Sequence, residues 1–100
     1  LVASAQSGIA TFDAAELAGI RAVVSSAPIA APKAIFGETC GAGGVLAIAC
    51  ALAWLSGVSP APIVSGASPA ASDPREIRHV LVTAVGYYGN ASAVILRKPS

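Results

Sequence analysis

Charge is what this sequence has least of. Asp, Glu, Lys and Arg make up 11% of its 100 residues, where a soluble domain ordinarily carries about a quarter. None occurs between Glu38 and Asp73. The formal net charge is +1 and no Lys/Arg cluster is present, which argues against nucleic acid or an anionic membrane as partner. Methionine is absent, and there is a single histidine, His79. The two cysteines, Cys40 and Cys50, form neither a disulfide framework nor a zinc-ligand spacing. No metal or cofactor is expected, and free thiols fit a reducing cytoplasm. No apolar run reaches the roughly 20 residues of a membrane span, and Lys/Arg flanks and aromatic belts are missing. The opening residues from Leu1 have no basic n-region, so no signal peptide is expected, and a first residue other than Met suggests a fragment.

What is present is hydrophobic, at 55% of residues. It is organised around Pro32 to Gly57, a lone lysine and a glycine-dense turn followed by an apolar run. From Gly44 to Leu55 the run is apolar on every side, where a surface helix would carry charge on one face. It is therefore expected to be a helix buried all round, the central helix of a layered α/β fold. Ala47, Ala49, Ala51 and Ala53 would admit close neighbours, Val45, Leu46, Ile48, Leu52 and Leu55 would supply bulk, and Gly57 would stop it. A small domain cannot enclose such a helix and shows few charges only if other protein covers it.

In chain order, Leu1–Ser4 reads as a short strand and Gln6-Ser7-Gly8 as a turn. Asp13 is placed to cap a helix, with Glu16 bonding back and Phe12 stapling against Leu17. Leu17, Ile20, Val23 and Val24 then share one helical face, ending near Ser25-Ser26. Ile29–Phe36 reads as a strand interrupted by Pro32. After the apolar helix, Ser56–Pro74 is a Ser/Pro/Ala/Gly-rich linker. Ile77–Val85 and Ser92–Leu96 read as a hairpin across Gly86-Tyr87-Tyr88-Gly89-Asn90. Strand, helix, strand, helix, loop and hairpin make an α/β domain, with no internal repeat.

Each chemical motif has a plainer reading. Gly37-Glu38-Thr39-Cys40-Gly41-Ala42-Gly43-Gly44 lacks the Gly-Lys-Ser/Thr ending of a phosphate loop, so its glycines are read as a tight turn and close helix packing. Cys40 at a helix mouth suits a nucleophile, but its base would have to be His79, in a strand with nothing to bring it near. Lys33 and Glu38 pair beside a pocket or simply satisfy each other. Tyr87 and Tyr88 line a pocket or pack as hairpin aromatics.

Taken together, the chain resembles the C-terminal portion of a β-ketoacyl synthase of the thiolase fold. That family carries V-N-A-H-G-T-x-T followed by D-x-x-E opening a helix, and here Val2-Ala3-Ser4-Ala5-Gln6-Ser7-Gly8-Ile9 leads to Asp13 and Glu16. The family's K-x-x-x-G-H-x-x-G-A-A-G is met by Lys33, Gly37, Glu38, Gly41, Ala42, Gly43 and Gly44. A G-x-x-P-like turn is met by Gly57-Val58-Ser59-Pro60, and the glycine-rich G-F-G-G hairpin by Gly86-Tyr87-Tyr88-Gly89. The likeness covers nearly the whole chain.

The departures point to function. The two histidines with which ketosynthases decarboxylate malonyl-carrier protein fall at Ala5 and Glu38, and only Lys33 is kept. Alanine cannot stabilise an enolate, and a glutamate opposes it. The resemblance is closest to the chain-length factor, the non-condensing ketosynthase β subunit of type II polyketide synthases. It implies a ketosynthase α subunit as partner, acyl carrier protein reached through the complex, and no cofactor. Gly86, Tyr87, Tyr88 and Gly89 become pocket or channel candidates, with Tyr87 in place of a pocket phenylalanine. Residues 1–100 would be a partial C-terminal thiolase-like domain, layered α-β-α, entering at about its second strand. Its missing first strand would leave sheet edges and the apolar helix bare, so it would be ordered only with the rest of its fold. The alternatives are part of an active condensing or acyltransferring thiolase-fold enzyme, and a small independent α/β interaction domain.

Overall fold

A computed structural model describes residues 1–37, 43–60, 62–65, 77–85 and 90–99. The element order is β1 (Val2–Ala3), α1 (Ala10–Val23), β2 (Ile29–Ala30), α2 (Lys33–Phe36), α3 (Gly43–Leu55), β3 (Ile63–Ser65), β4 (His79–Val85) and β5 (Ala91–Arg97). The strands form one mixed five-stranded sheet in the order β3-β2-β1-β4-β5. β1 runs parallel to both β2 and β4, while β3 and β5 close the two sides antiparallel.

Side-chain alternation along the strands builds two cores, one on each face. Ala3, Ala30, Val80 and Val82 pack against Ala47, Ala51, Trp54 and Leu55 of α3. Val2 and Ile29 pack on the other face with Ile20 of α1, joined by Leu81. The class is α/β, with a helix on either side of the sheet. The strand at Leu1–Ser4 and the hairpin are where the sequence puts them. β4 and β5 pair without a register break from His79↔Arg97 to Val85↔Ala91. β1 also pairs directly with β4, so no strand position stands empty between them.

The structure corrects several expectations. Helix α1 starts at Ala10, its N-cap is Ile9, and no side chain caps it. The helix already runs through Ala10-Thr11-Phe12 ahead of Asp13, whose carboxylate instead accepts from the amides of the preceding loop. Only Ile20 of the expected face is buried, and Val23 is 82% exposed. β2 stops at Ala30 and Lys33 opens the short helix α2, because Pro32 adopts helical φ and ψ angles of −55° and −32° and lies at its N-cap. The stretch read as linker contributes β3 at the sheet edge.

The largest correction concerns α3. Ala47, Ala51, Trp54 and Leu55 are buried, but Val45 is 70% and Leu52 54% exposed on the other side. One sheet covers one face of a helix, and among the described residues no second layer lies over α3. Gly44 does not bring about a close approach, since a Cβ there would lie 3.8 Å from the Cβ of Ala84, in ordinary contact.

Gly57 ends α3 as expected. Its amide donates to the Trp54 carbonyl and that of Val58 to the Ala53 carbonyl, both at 3.1 Å, the paired bonds of a Schellman cap. Gly57 holds φ at 108°, so Gly57→Ala is expected to cost about 1–2 kcal/mol, read as a lower midpoint with unchanged slope in urea denaturation.

Candidate functional site

β1 sends the chain through α1 to β2 on one side, and α3 then covers the opposite face and leads to β3 beside β2. Only after β3 does the chain cross to β4 on the other side of β1. The carboxyl ends of β1 and β4 thus flank the point where strand order reverses, the place where open α/β sheets form ligand crevices. A cleft of about 340 Å³ lies there. Its walls are Ser4 and Ala5 beyond β1, Pro32 and Lys33 at the start of α2, Gly43, Gly44 and Ala47 of α3, and Thr83 to Val85 ending β4. Asn90 and Ser92 complete it.

The fold therefore brings together Ala5 and Lys33, two of the positions singled out in the sequence. Glu38 lies outside the described residues, but its flanks Gly37 and Gly43 lie close by in the chain, and Gly43 lines the cleft. Gly86, Tyr87, Tyr88 and Gly89 also lie outside the described residues, between Val85 and Asn90, both of which line the cleft. Cys40 falls outside the described residues as well. His79 is exposed at the amino end of β4, about 20 Å along the strand from Val85 at roughly 3.3 Å per residue. It is not brought to the cleft.

A clamp that the sequence did not predict sets the cleft's β1 wall. The amides of the loop after β1 are satisfied by side chains. Ala5 donates to Glu16 Oε2 at 2.8 Å and Gln6 to Ser4 Oγ at 3.4 Å. Ser7 and Gly8 donate to the Asp13 carboxylate at 3.1 and 2.9 Å. Glu16 Oε2 also accepts the Thr83 hydroxyl of β4 at 2.9 Å. One carboxylate from α1 thus ties the loop to a strand 67 positions further along the chain. Ser4, 2% exposed, anchors the other side by donating to the Ala30 carbonyl at 2.9 Å. The Asp13/Glu16 spacing was visible in the sequence, but its acceptor role here was not.

Chemically, the described lining of the cleft presents the Lys33 cation, small polar side chains and the amino end of α3, whose partial positive charge favours anionic groups. Neither cysteine nor histidine is among the described lining residues. The remaining described thiol, Cys50, is half-buried in α3, and burial pushes its pKa up. With Cys40 replaced by Ser, alkylation of Cys50 should begin at higher pH than that of a free thiol and return to normal in urea. A folded pKa above the unfolded value favours the native state below the ordinary thiol range. That contribution fades as pH rises through the folded value.

On the α1 side of the sheet, an apolar groove of about 590 Å³ runs between α1 and the β4–β5 hairpin, walled by Phe12, Gly19, Val23, Leu81, Val85 and Ala93. Thr83 to Val85 and Ser92 line both cleft and groove. Among the described residues, no helix is long and apolar enough to cross a membrane. Comparison with family models, with curated proteins and with solved structures returns no match to this chain.

Proposed function

We propose that the chain is part of a non-condensing ketosynthase-like subunit, of the chain-length-factor kind, in a cytoplasmic complex that elongates polyketide or related acyl chains. The observation that carries the reading is the cleft at the carboxyl ends of β1 and β4. It joins Ala5 and Lys33, positions 28 apart in sequence, to the start of α3 and to both flanks of the Gly86–Gly89 segment. In the ketosynthase pattern these are the positions that surround the reacting acyl group. With Ala5 and Glu38 in place of the two histidines that hold the enolate oxygen in the ketosynthase pattern, that pair of imidazoles is missing, and Lys33 alone cannot run a condensation. Such a subunit acts by pairing with an active ketosynthase and receiving acyl groups from a carrier protein through it. The uncovered flank of α3, with Val45 and Leu52 exposed, supports further protein packing there, whether the rest of the same fold or the partner.

The test is reconstitution with a purified ketosynthase α subunit and malonyl-loaded carrier protein, following product length by mass spectrometry. The chain alone should give no condensation, and adding it within its complete subunit should lengthen the product made by the partner. Condensation by the chain without a partner, or a partner whose binding and product it leaves unaltered, would sink the reading.

A second reading, a small independent α/β interaction domain, is favoured by the direct pairing of β1 with β4. The Cα radius of gyration, 12.6 Å, also matches the ~13 Å of a compact domain of this length. Cooperative unfolding of the isolated chain as a monomer would select it.

A further inference from the structure

The sheet's two outer edges are built differently. β3 is three residues long, Pro60 and Pro62 precede it, and its register with β2 is irregular. Short length, proline and irregularity are the devices that keep an edge from recruiting another strand. β5 has none of them. Its seven residues, Ala91-Ser92-Ala93-Val94-Ile95-Leu96-Arg97, are paired to β4 throughout without a bulge. They contain no proline and no charge before Arg97, and among the described residues nothing pairs with the outer edge. Val94 is 42% and Ile95 66% exposed.

We propose that this edge pairs with the same edge of a second copy of the chain, antiparallel about a two-fold axis at Val94, joining two sheets into one. The order of side-chain sizes favours a copy as the occupant. In that register Val94 meets Val94, Ile95 lies beside Ala93 of the other copy, and Leu96 beside Ser92, so the two largest side chains each face a small one. Residues directly opposite in an antiparallel pair share a face, and these pairings respect the alternation already set by β4. The Arg97 side chains stand at opposite ends, about 20 Å apart at ~3.4 Å per residue, whereas parallel pairing would place them side by side. Because the far edges of the joined sheet are the guarded β3 strands, the assembly stops at a closed dimer and does not extend into fibres. The proposal rests on the edge alone and is independent of the role given to the cleft.

The experiment uses sedimentation equilibrium and native mass spectrometry on the purified chain. A concentration-dependent dimer is expected. Val94→Lys and Val94→Glu each place like charges opposite one another at the axis and should weaken the dimer about tenfold or more, with far-UV circular dichroism unchanged. Mixing the two variants should restore a dimer containing one of each, which a merely unfolded variant would not form. Ile95→Lys, at a side chain already mostly in solvent, provides a second disruption and should also weaken the dimer. A wild-type chain that stays monomeric at its highest soluble concentration would overturn the proposal. So would open-ended aggregation, a dimer indifferent to Val94→Lys and Ile95→Lys, or a mixture that fails to pair.

Discussion

Trp54→Ala should remove most of the isolated chain's stability at 25 °C. Trp54 is 4% exposed and lies where α3 meets β1, β2 and β4, among Ala3, Ala30, Ala47, Ala51, Val80 and Val82. Apart from Leu55, the other buried members of that cluster are alanine and valine, short side chains that reach little of the space of an indole. The larger Leu1, Ile48, Ile63, Ile77 and Leu96 are only partly buried against it. A cavity that fails to collapse puts the change at the high end of the usual range, about 3–5 kcal/mol. A domain of this size has only about 5–15 kcal/mol of total stability, and a small one tends to the lower end. Urea denaturation followed by far-UV circular dichroism, which does not depend on the lost fluorophore, reads the effect. Trp54→Phe refills most of the volume and should recover more than half of the loss. Near-native stability for Trp54→Ala would mean that the α3 face is not the main core.

Glu16→Ala is expected to show the next largest effect, about 1–3 kcal/mol, because it strands the Ala5 amide and the Thr83 hydroxyl in a half-buried setting. The loss should be local as well as global. Hydrogen exchange at Ala5 should accelerate more than at Val80 or Val82, since the clamp holds the loop while the core strands hold themselves. A double-mutant cycle with Thr83→Ala isolates the link between α1 and β4, with an expected coupling of about 0.5–3 kcal/mol. Additive single effects would show that the two groups do not act together. If the clamp shapes the cleft, Glu16→Ala should also weaken whatever ligand or partner engages Ala5 and Lys33, by more than Gly57→Ala does at the far end of α3.

Trp54 and Glu16 differ in how far the sequence foretells their roles. Features governed by near neighbours could be read directly: the Gly57 stop, the β4–β5 hairpin, the strand at Val2–Ala3 and the existence of both long helices. Each depends on turn chemistry or hydrophobic periodicity within a few residues. Boundaries were less secure. Asp13 has the look of a helix cap, yet Ala10-Thr11-Phe12 already propagate helix, and the carboxylate is freed to bind Ser7 and Gly8 instead. Pro32 suggests an interrupted strand, yet its fixed φ equally starts a helix, and the helix puts Lys33 on the cleft wall.

The apolar run from Gly44 to Leu55 determined by itself that a helix would form and that it would shun water. It could not determine how many layers would cover that helix, because coverage depends on which surfaces other segments bring to it. In the structure one sheet covers one side. The cleft is likewise a tertiary product. Ala5, Lys33, Gly44, Thr83 and Asn90 share no local pattern and meet only because the chain crosses from one side of β1 to the other. Composition settled that this protein has little charge to spend on solvent, and topology alone decided where its apolar surface and its cleft would lie, since hydrophobicity has no direction until strands and helices give it one.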